Sequence, residues 1–340
     1  MPLVPLSFLF SLMCLILLLR LGRPQRQRWA FQLLLLLCIW QSLLIGLRYG
    51  YHVALFNPLQ PFGAVLVPVL SYLALLTSAQ GRLSRYTYGH LMLPLWVWLA
   101  ATWAPVLLDA LIVASYLGYG IAMLFYLRRG ENCLQQVALT ESWLSYRLWR
   151  ALAVVLILCS MAEIVIIVDF ELFGGRLAAL VATVSNTLLA LGVALALGLM
   201  RPPEATVEPV AEVGGEERAA PEQTAAWFAQ IHRRLQQDNL YLTPELNLAS
   251  LARKVGLPAR KVSQAINQQT GMNVSQYVNQ LRIQQAAAWL RGSEKPVTEI
   301  MLDAGFITKS NFNREFQRVL GMSPSEWRRR QAENRNNNSL

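Results

Sequence analysis

The feature that most constrains the fold is a change in the character of the chain near residue 201. Before that point the sequence consists mainly of long apolar stretches, whereas residues 225–340 are polar and basic. A short acidic segment with several prolines separates the two parts. Soluble proteins rarely expose large contiguous apolar surfaces. We therefore predict that the two parts fold in different surroundings, the first in a lipid bilayer and the second in water.

Seven apolar windows precede residue 201, and each is close to the length of a bilayer-spanning helix, about 20 residues with a range near 17–25. The windows cover residues 3–19, 29–47, 61–79, 91–108, 110–127, 151–168 and 177–199. We expect the first window to be retained, because Arg20 and Arg23 follow it instead of a small-residue cleavage site. The sequence therefore predicts a seven-helix transmembrane sensor domain over residues 1–200.

The arginines predict the orientation of these spans, since cytoplasmic loops carry an excess of Arg and Lys. Eleven arginines lie in residues 20–28, 80–90 and 128–150 or at Arg201, and two lie on the opposite side. This distribution predicts a multi-pass protein with its N-terminus outside the cell and its C-terminal domain in the cytoplasm. Residues 134–149 are amphipathic, so they either lie along the inner membrane surface or extend a neighbouring span.

Glu163 is a carboxyl group inside the sixth window, where a charge costs about 2.5–3.5 kcal/mol at the helix centre. Two interpretations remain open. The carboxyl group is protonated and hydrogen-bonded to a neighbour such as Asn186 or Gln41, or it senses a ligand or a proton. Glu163 and Asn186 are therefore the candidate sensing residues of the membrane part.

Charge divides the chain into the same three parts. Residues 1–201, 202–224 and 225–340 carry net charges of +7, −5 and +8. Low hydrophobicity and acidic charge predict that residues 201–224 form a disordered, proline-containing linker. The basic excess after the linker indicates a polyanionic partner. The last residues, 336–340, are predicted to be a disordered tail.

The C-terminal part shows the pattern of two helix-turn-helix units. In the first, an apolar face over residues 248–255 is followed by Gly256, and Pro258 begins the next helix. In the second, an apolar face over residues 297–304 precedes Gly305. A helix over residues 274–291 connects the units and would be about 27 Å long, close to the 34 Å between two recognition helices on one face of DNA. We predict a soluble seven-helix domain over residues 225–335.

Both second helices of these units carry polar side chains on the face that points away from the core. Arg and Lys can pair with guanine, Asn and Gln with adenine, and Ser with either base. Other basic residues, including Arg253, Arg282, Arg318 and residues 328–330, are expected to neutralise phosphates. The predicted DNA-binding residues are Arg260, Lys261, Ser263, Gln264, Asn267, Lys309, Ser310, Asn313 and Arg314.

Residues 230–331 resemble the DNA-binding domains of the arabinose-regulator (AraC/XylS) family. The resemblance rests on residues 251–256, on Leu281, Arg282, Ile283, Ala286 and Leu290, on residues 304–306 and 311–316, and on residues 321–328. It implies that each recognition helix enters one major groove, with base contacts at Arg260, Ser263, Gln264, Lys309, Ser310, Asn313 and Arg314. More loosely, the first part of the chain is similar in architecture to the sensors of membrane-anchored members of that family.

These observations predict an all-α protein that regulates transcription from the bacterial cytoplasmic (inner) membrane, binding double-stranded DNA in response to a membrane or small-molecule signal. The expected partners are the lipid bilayer, a second copy of the chain on DNA, and RNA polymerase. The alternative is a transporter-like protein whose attached DNA-binding domain reports flux, which Pro61, Pro68, Pro94 and Pro105 hint at. An enzyme is not expected, because no catalytic His or Ser motif occurs, and neither is a cofactor or a metal site.

Overall fold

The computed structural model of the chain consists of α-helices joined by turns and short 3-10 or π segments. It describes residues 5–21, 29–51, 53, 55, 59–80, 83, 85–104, 106–199 and 221–337. Within these ranges there is no β-strand, and one isolated antiparallel bridge joins Ala138 to Asn247. The predicted all-α class is confirmed. The chain divides into two compact units, an N-terminal unit of residues 1–133 and 144–206 and a C-terminal unit of residues 134–143 and 207–340.

The N-terminal unit has an α-helix in each of the seven predicted windows. These helices are α1 (Leu6–Leu21), α2 (Trp29–Ile45), α3 (Gln60–Gln80), α4 (Leu93–Trp103), α5 (Val106–Leu127), α6 (Ser142–Phe173) and α7 (Ala178–Leu199). Four segments of the described chain are long and apolar enough to cross a bilayer: Trp29–Arg48, Gln60–Gln80, Leu107–Leu127 and Ser142–Phe173. The predicted count of seven spans is not confirmed, because α4 has 11 residues and is about 16 Å long, half the thickness of the hydrocarbon layer.

The surface of the N-terminal unit carries many large apolar side chains. Leu19, Trp103 and Leu172 are 72%, 84% and 70% exposed. Water disfavours such a surface, whereas the hydrocarbon of a bilayer does not. The interior is also apolar, with Leu34 and Leu73 fully buried.

The prolines of the third and fourth windows lie mainly at helix starts. Pro61 and Pro94 are each the second residue of their helix, where a proline costs no hydrogen bond. Pro68 lies inside α3, which continues as a helix to Gln80. Pro105 lies outside the described residues. Pro61 and Pro94 therefore interrupt no helix, and α3 continues past Pro68.

The C-terminal unit has seven α-helices in its described residues after the linker. They are α8 (Pro221–Gln237), α9 (Leu248–Val255), α10 (Ala259–Thr270), α11 (Val274–Gly292), α12 (Val297–Asp303), α13 (Lys309–Leu320) and α14 (Pro324–Asn337). Residues 201–220 of the predicted linker and residues 338–340 of the predicted tail lie outside the described residues. Helix α8 begins at Pro221 and α14 ends at Asn337, so residues 221–224 of the predicted linker and residues 336–337 of the predicted tail are helical, contrary to the prediction.

Two apolar cores build this unit, one for each predicted helix-turn-helix. The first contains Leu251, Val262 and Ile266. The second contains Ile300, Phe312 and Phe316. Helix α11 contributes to both cores, and Asn273 caps its start by accepting a hydrogen bond from the Gln276 amide at 2.8 Å. The connecting helix is confirmed to within one residue of its predicted end. It positions the two helix-turn-helix units relative to each other.

Candidate nucleic-acid interface

The first helix-turn-helix forms as the sequence predicts. Asn247 caps α9 through a reciprocal pair of hydrogen bonds with Ser250. Gly256 ends the helix with φ +74°, a left-handed conformation that favours glycine, and Pro258 precedes α10. The apolar residues of the two helices are buried together in the first core. The polar face of α10 is therefore directed away from that core.

The residues predicted to contact DNA on α10 are accessible to different degrees. Arg260, Lys261 and Asn267 are exposed, whereas Ser263 and Gln264 are half-buried. The Lys261 ammonium lies 4.7 Å from the ring centroid of Trp227, a cation–π contact with α8. Arg260 is thus an exposed cation on α10 that can meet a base or a phosphate.

On α13, the corresponding helix of the second unit, Lys309, Ser310 and Asn313 are exposed. These three side chains lie on the first turn and a half of the helix, the part that contacts base edges in helix-turn-helix proteins. Phe312 and Phe316 point the other way, into the second core. Lys309, Ser310 and Asn313 can therefore donate to or accept from a DNA base.

Arg314, the fourth predicted contact on α13, is held by its neighbours. Its Nη2 donates to the Asn311 Oδ1 at 2.6 Å, and its Nε and Nη2 both donate to the Glu315 Oε1, at 3.2 and 3.1 Å. Its guanidinium carbon lies 4.2 Å from the ring centroid of Trp143. The side chain is 36% exposed. Arg314 thus has its Nε and Nη2 donors directed at the protein in this conformation.

Arg282 is not a phosphate ligand, contrary to the prediction, because it is fully buried. Its Nη2 donates to the Thr243 carbonyl at 2.7 Å, its Nε donates to the Tyr241 carbonyl, and its guanidinium faces the Phe306 ring at 5.7 Å. Burial lowers the pKa of the guanidinium to about 9, which leaves it a cation at neutral pH. Arg282 therefore joins the turn after α8 to α11 and to the second helix-turn-helix unit.

Gly305 lies at the same junction and has a steric reason for being glycine. Its φ is +82°, and a Cβ atom there would lie 2.5 Å from the Leu242 carbonyl oxygen and 3.2 Å from the Arg282 Nε. A larger residue would push the α12–α13 turn away from the α8–α9 connection. Arg282 and Gly305 together fix the position of the α12–α13 turn and therefore the orientation of α13.

The other basic residues predicted to neutralise phosphates differ in their availability. Arg253, Arg329 and Arg330 are exposed. Arg318 donates from Nε to the Glu315 Oε2 at 2.8 Å and from Nη2 to the Gln276 carbonyl at 3.0 Å. Arg328 is half-buried and donates to the Lys295 carbonyl. The Arg329 Nε lies 3.9 Å from the Glu333 Oε1. Arg253 and Arg330 are thus the exposed cations of this set that can meet a phosphate without losing an ion pair of the described chain.

Sequence reasoning missed a segment that packs onto this interface. Residues 134–143, here called the docked segment, belong to the C-terminal unit although they lie between α5 and α6 in the chain. Residues 134–141 form no α-helix, whereas residues 142–149 belong to α6, so the predicted extension of the sixth span begins at Ser142. Amphipathic patterning was the only signal in the sequence, and it does not distinguish a protein surface from a membrane surface.

The docked segment is anchored at both of its ends and in the middle. The Leu139 amide donates to the Leu246 carbonyl at 2.9 Å, and the Ala249 amide donates to the Gln135 carbonyl at 3.1 Å. The Ser275 hydroxyl donates to the Leu139 carbonyl at 2.5 Å. Leu139 itself is 4% exposed and lies in the first core.

A separate candidate site lies in the N-terminal unit around Glu163. A cavity of about 60 Å³ is lined by Glu163 together with Gln41, Gln60, Tyr116 and Ser185. The Gln41 amide nitrogen donates to the Gln60 carbonyl at 3.1 Å. The Oε1 atom of Gln41 is buried and accepts no hydrogen bond from the described part of the chain. The side chain of Asn186, the other candidate sensing residue, lies outside the described residues.

A family model described as a helix-turn-helix domain matches residues 251–330. The transcriptional activator RhaR of Yersinia pseudotuberculosis serotype O:3 (strain YPIII) is 37% identical over 84 residues, which are 25% of this chain and 29% of that protein. RhaR of Klebsiella pneumoniae subsp. pneumoniae is 39% identical over 71 residues, 21% of this chain and 25% of that protein. The chain therefore spans less than a third of the length of these relatives.

Among solved structures, the C-terminal domain of AraT, a response regulator from Geobacillus stearothermophilus, matches with 25% identity and a TM-score of 0.27. The match covers 33% of this chain and 88% of that one. The family model confirms the helix-turn-helix prediction for residues 251–330, and the RhaR matches show that part of the chain is similar to transcriptional activators.

Proposed function

We propose that the chain is a one-component transcription regulator that binds specific double-stranded DNA through α10 and α13 while its N-terminal unit is embedded in the bacterial inner membrane. The observation that carries the proposal is the pair of exposed polar faces on α10 and α13, within the segment that matches helix-turn-helix proteins. Each face offers cations and amides, the groups that pair with base edges in the major groove.

The membrane location is supported by the apolar surface of the N-terminal unit and by its four long apolar segments. The arginine distribution favours an extracellular N-terminus and a cytoplasmic C-terminal unit. Two copies bound to adjacent sites on DNA, and a contact with RNA polymerase, complete the proposal. Tethering two copies to one membrane raises the effective concentration of each near a paired site.

We further propose that the signal is received at the cavity beside Glu163. Buried polar groups normally have hydrogen-bond partners, and the Gln41 Oε1 atom in this lining lacks one among the described residues. The cavity has room for about four water-sized groups, enough for a small polar ligand or a proton-linked water cluster. Glu163→Gln should abolish the signal response or its pH dependence, and an unchanged response in both would make Glu163 a structural residue.

Genome-wide mapping of bound sites with the full chain tests the DNA-binding part of the proposal. Arg260→Ala removes a cation from α10, and Arg291→Ala removes an equally exposed cation from the end of α11 as a matched control. We expect Arg260→Ala to change the preferred sequence at one base pair by about 1–3 kcal/mol. Arg291→Ala should leave the preferred sequence unchanged. A wild-type chain that enriches no sequence over random genomic DNA would contradict the proposal.

A further inference from the structure

We propose that the docked segment holds Arg314, one of the four predicted base-contacting residues of α13, against the protein, so that this conformation is a restrained state with reduced affinity for DNA. This inference rests on the proposed function, and it adds an intramolecular competitor for one of the two recognition helices. The competitor is residues 134–143 of the chain itself.

The docked segment contacts α13 at Asn311 and Arg314, while Lys309, Ser310 and Asn313 are exposed. The Asn311 amide donates to the Thr140 carbonyl, and the Trp143 ring lies beneath the Arg314 guanidinium. Arg314 needs its planar group of donors free to pair with a guanine. Here Nε and Nη2 donate to Asn311 and Glu315, and one face of the guanidinium is covered by an aromatic ring. The contact of Arg314 with the docked segment and its contact with DNA therefore compete with each other.

The rest of the docked segment is anchored away from α13. Leu139 is buried in the first core, and residues 135–139 exchange hydrogen bonds with the start of α9 and with Ser275. The anchor can stay in place while Thr140 and Trp143 leave α13. Release breaks the hydrogen bond between Asn311 and Thr140 and separates the Trp143 ring from the Arg314 guanidinium.

Helix α6 provides a route for such a signal. Trp143 is its second residue, and Glu163 in the cavity lining lies 20 residues further along the same helix. At 1.5 Å per residue the two side chains are about 30 Å apart along one continuous helix. A shift or rotation of α6 caused by a change at the cavity would move Trp143 with it. Coupling through α6 does not need the linker between the units.

Affinity measurements on the full chain in lipid nanodiscs test the inference. The probe is the duplex most strongly enriched from a random-sequence pool by the wild-type chain. Trp143→Ala removes the ring beneath Arg314, and we expect the apparent affinity to rise about three- to tenfold as the docked population falls. The matched control is Tyr146→Ala, one turn later on α6, where the ring lies 5.7 Å from the Arg150 guanidinium. It should leave the affinity unchanged.

A second measurement does not depend on how the alanine variant folds. With the four native cysteines replaced by alanine, Thr140→Cys and Asn311→Cys are joined by a short reagent that a thiol reductant cleaves. The joined chain should bind the probe at least tenfold more weakly than the same sample after cleavage. Equal affinity before and after cleavage, or an unchanged or lower affinity of Trp143→Ala, would overturn the inference alone. If no form of the chain enriches or binds any duplex, the proposed function fails as well.

Discussion

Replacing Gly305 with alanine should destabilise the C-terminal unit by two separate effects. The first is conformational: φ is +82° at this position, and the left-handed region costs an L-residue about 1–2 kcal/mol. The second is steric, because the new Cβ would lie 2.5 Å from the Leu242 carbonyl oxygen, which belongs to the backbone and cannot rotate away. Forcing such a contact in a packed core costs about 1–3 kcal/mol. We expect a total loss of about 2–5 kcal/mol.

Gly256→Ala separates the two effects. Gly256 has φ +74°, and a Cβ atom there would meet nothing within 4 Å, so this variant carries only the conformational cost. Native-state hydrogen exchange of α11 and α13 in the full chain in nanodiscs reports the free energy of opening of the unit. Gly305→Ala should accelerate exchange about 5- to 150-fold more than Gly256→Ala. If the two variants agree within about 0.5 kcal/mol, the contact with the Leu242 carbonyl does not constrain the turn, and the explanation given for Gly305 is wrong.

Three further outcomes follow from the interface. Arg282→Met should lower the free energy of unfolding of the C-terminal unit by about 3–5 kcal/mol, measured by hydrogen exchange, because it leaves the Tyr241 and Thr243 carbonyls without their donor. The control Arg253→Met, at an exposed site, should lower it by less than about 0.5 kcal/mol. Asn273→Ala removes the cap of α11 and should lower the free energy of unfolding by about 1 kcal/mol, measured in urea by hydrogen exchange of α11. A loss of stability no greater than that caused by Asn267→Ala, at an exposed position, would argue against the cap. Asn313→Ala should relax the base preference at one position by about 1–3 kcal/mol in competition binding, and a uniform loss across all duplexes would assign Asn313 to the phosphates instead.

The sequence predicts the two helix-turn-helix units well because their signals are local. Gly256 and Gly305 end helices at positions with positive φ, and the apolar spacing around them matches the buried faces. The connecting helix over residues 274–291 is predicted for the same reason. These features depend on neighbours within a few turns of the chain.

The features that sequence analysis missed depend on contacts between distant segments. Arginine is usually a surface residue, so the sequence alone predicts that Arg282 is exposed. Arg282 is buried because backbone carbonyl groups about 40 residues earlier in the chain accept its hydrogen bonds. The docked segment meets Asn311 across 171 positions of sequence. An amphipathic pattern predicts that one face of a segment is buried, but it does not predict whether a membrane or another part of the protein buries it. The short α4 escaped prediction because composition does not show where an apolar helix ends.

The burial of Arg282 bears on the kind of operator this chain can recognise. A flexible connection between two helix-turn-helix units allows them to bind half-sites at variable separation. Here a cation clamped by backbone carbonyls, beside a glycine that admits no side chain, removes that freedom. We therefore expect the two half-sites to be in strict helical phase, so that inserting one base pair between them would rotate the second half-site out of reach.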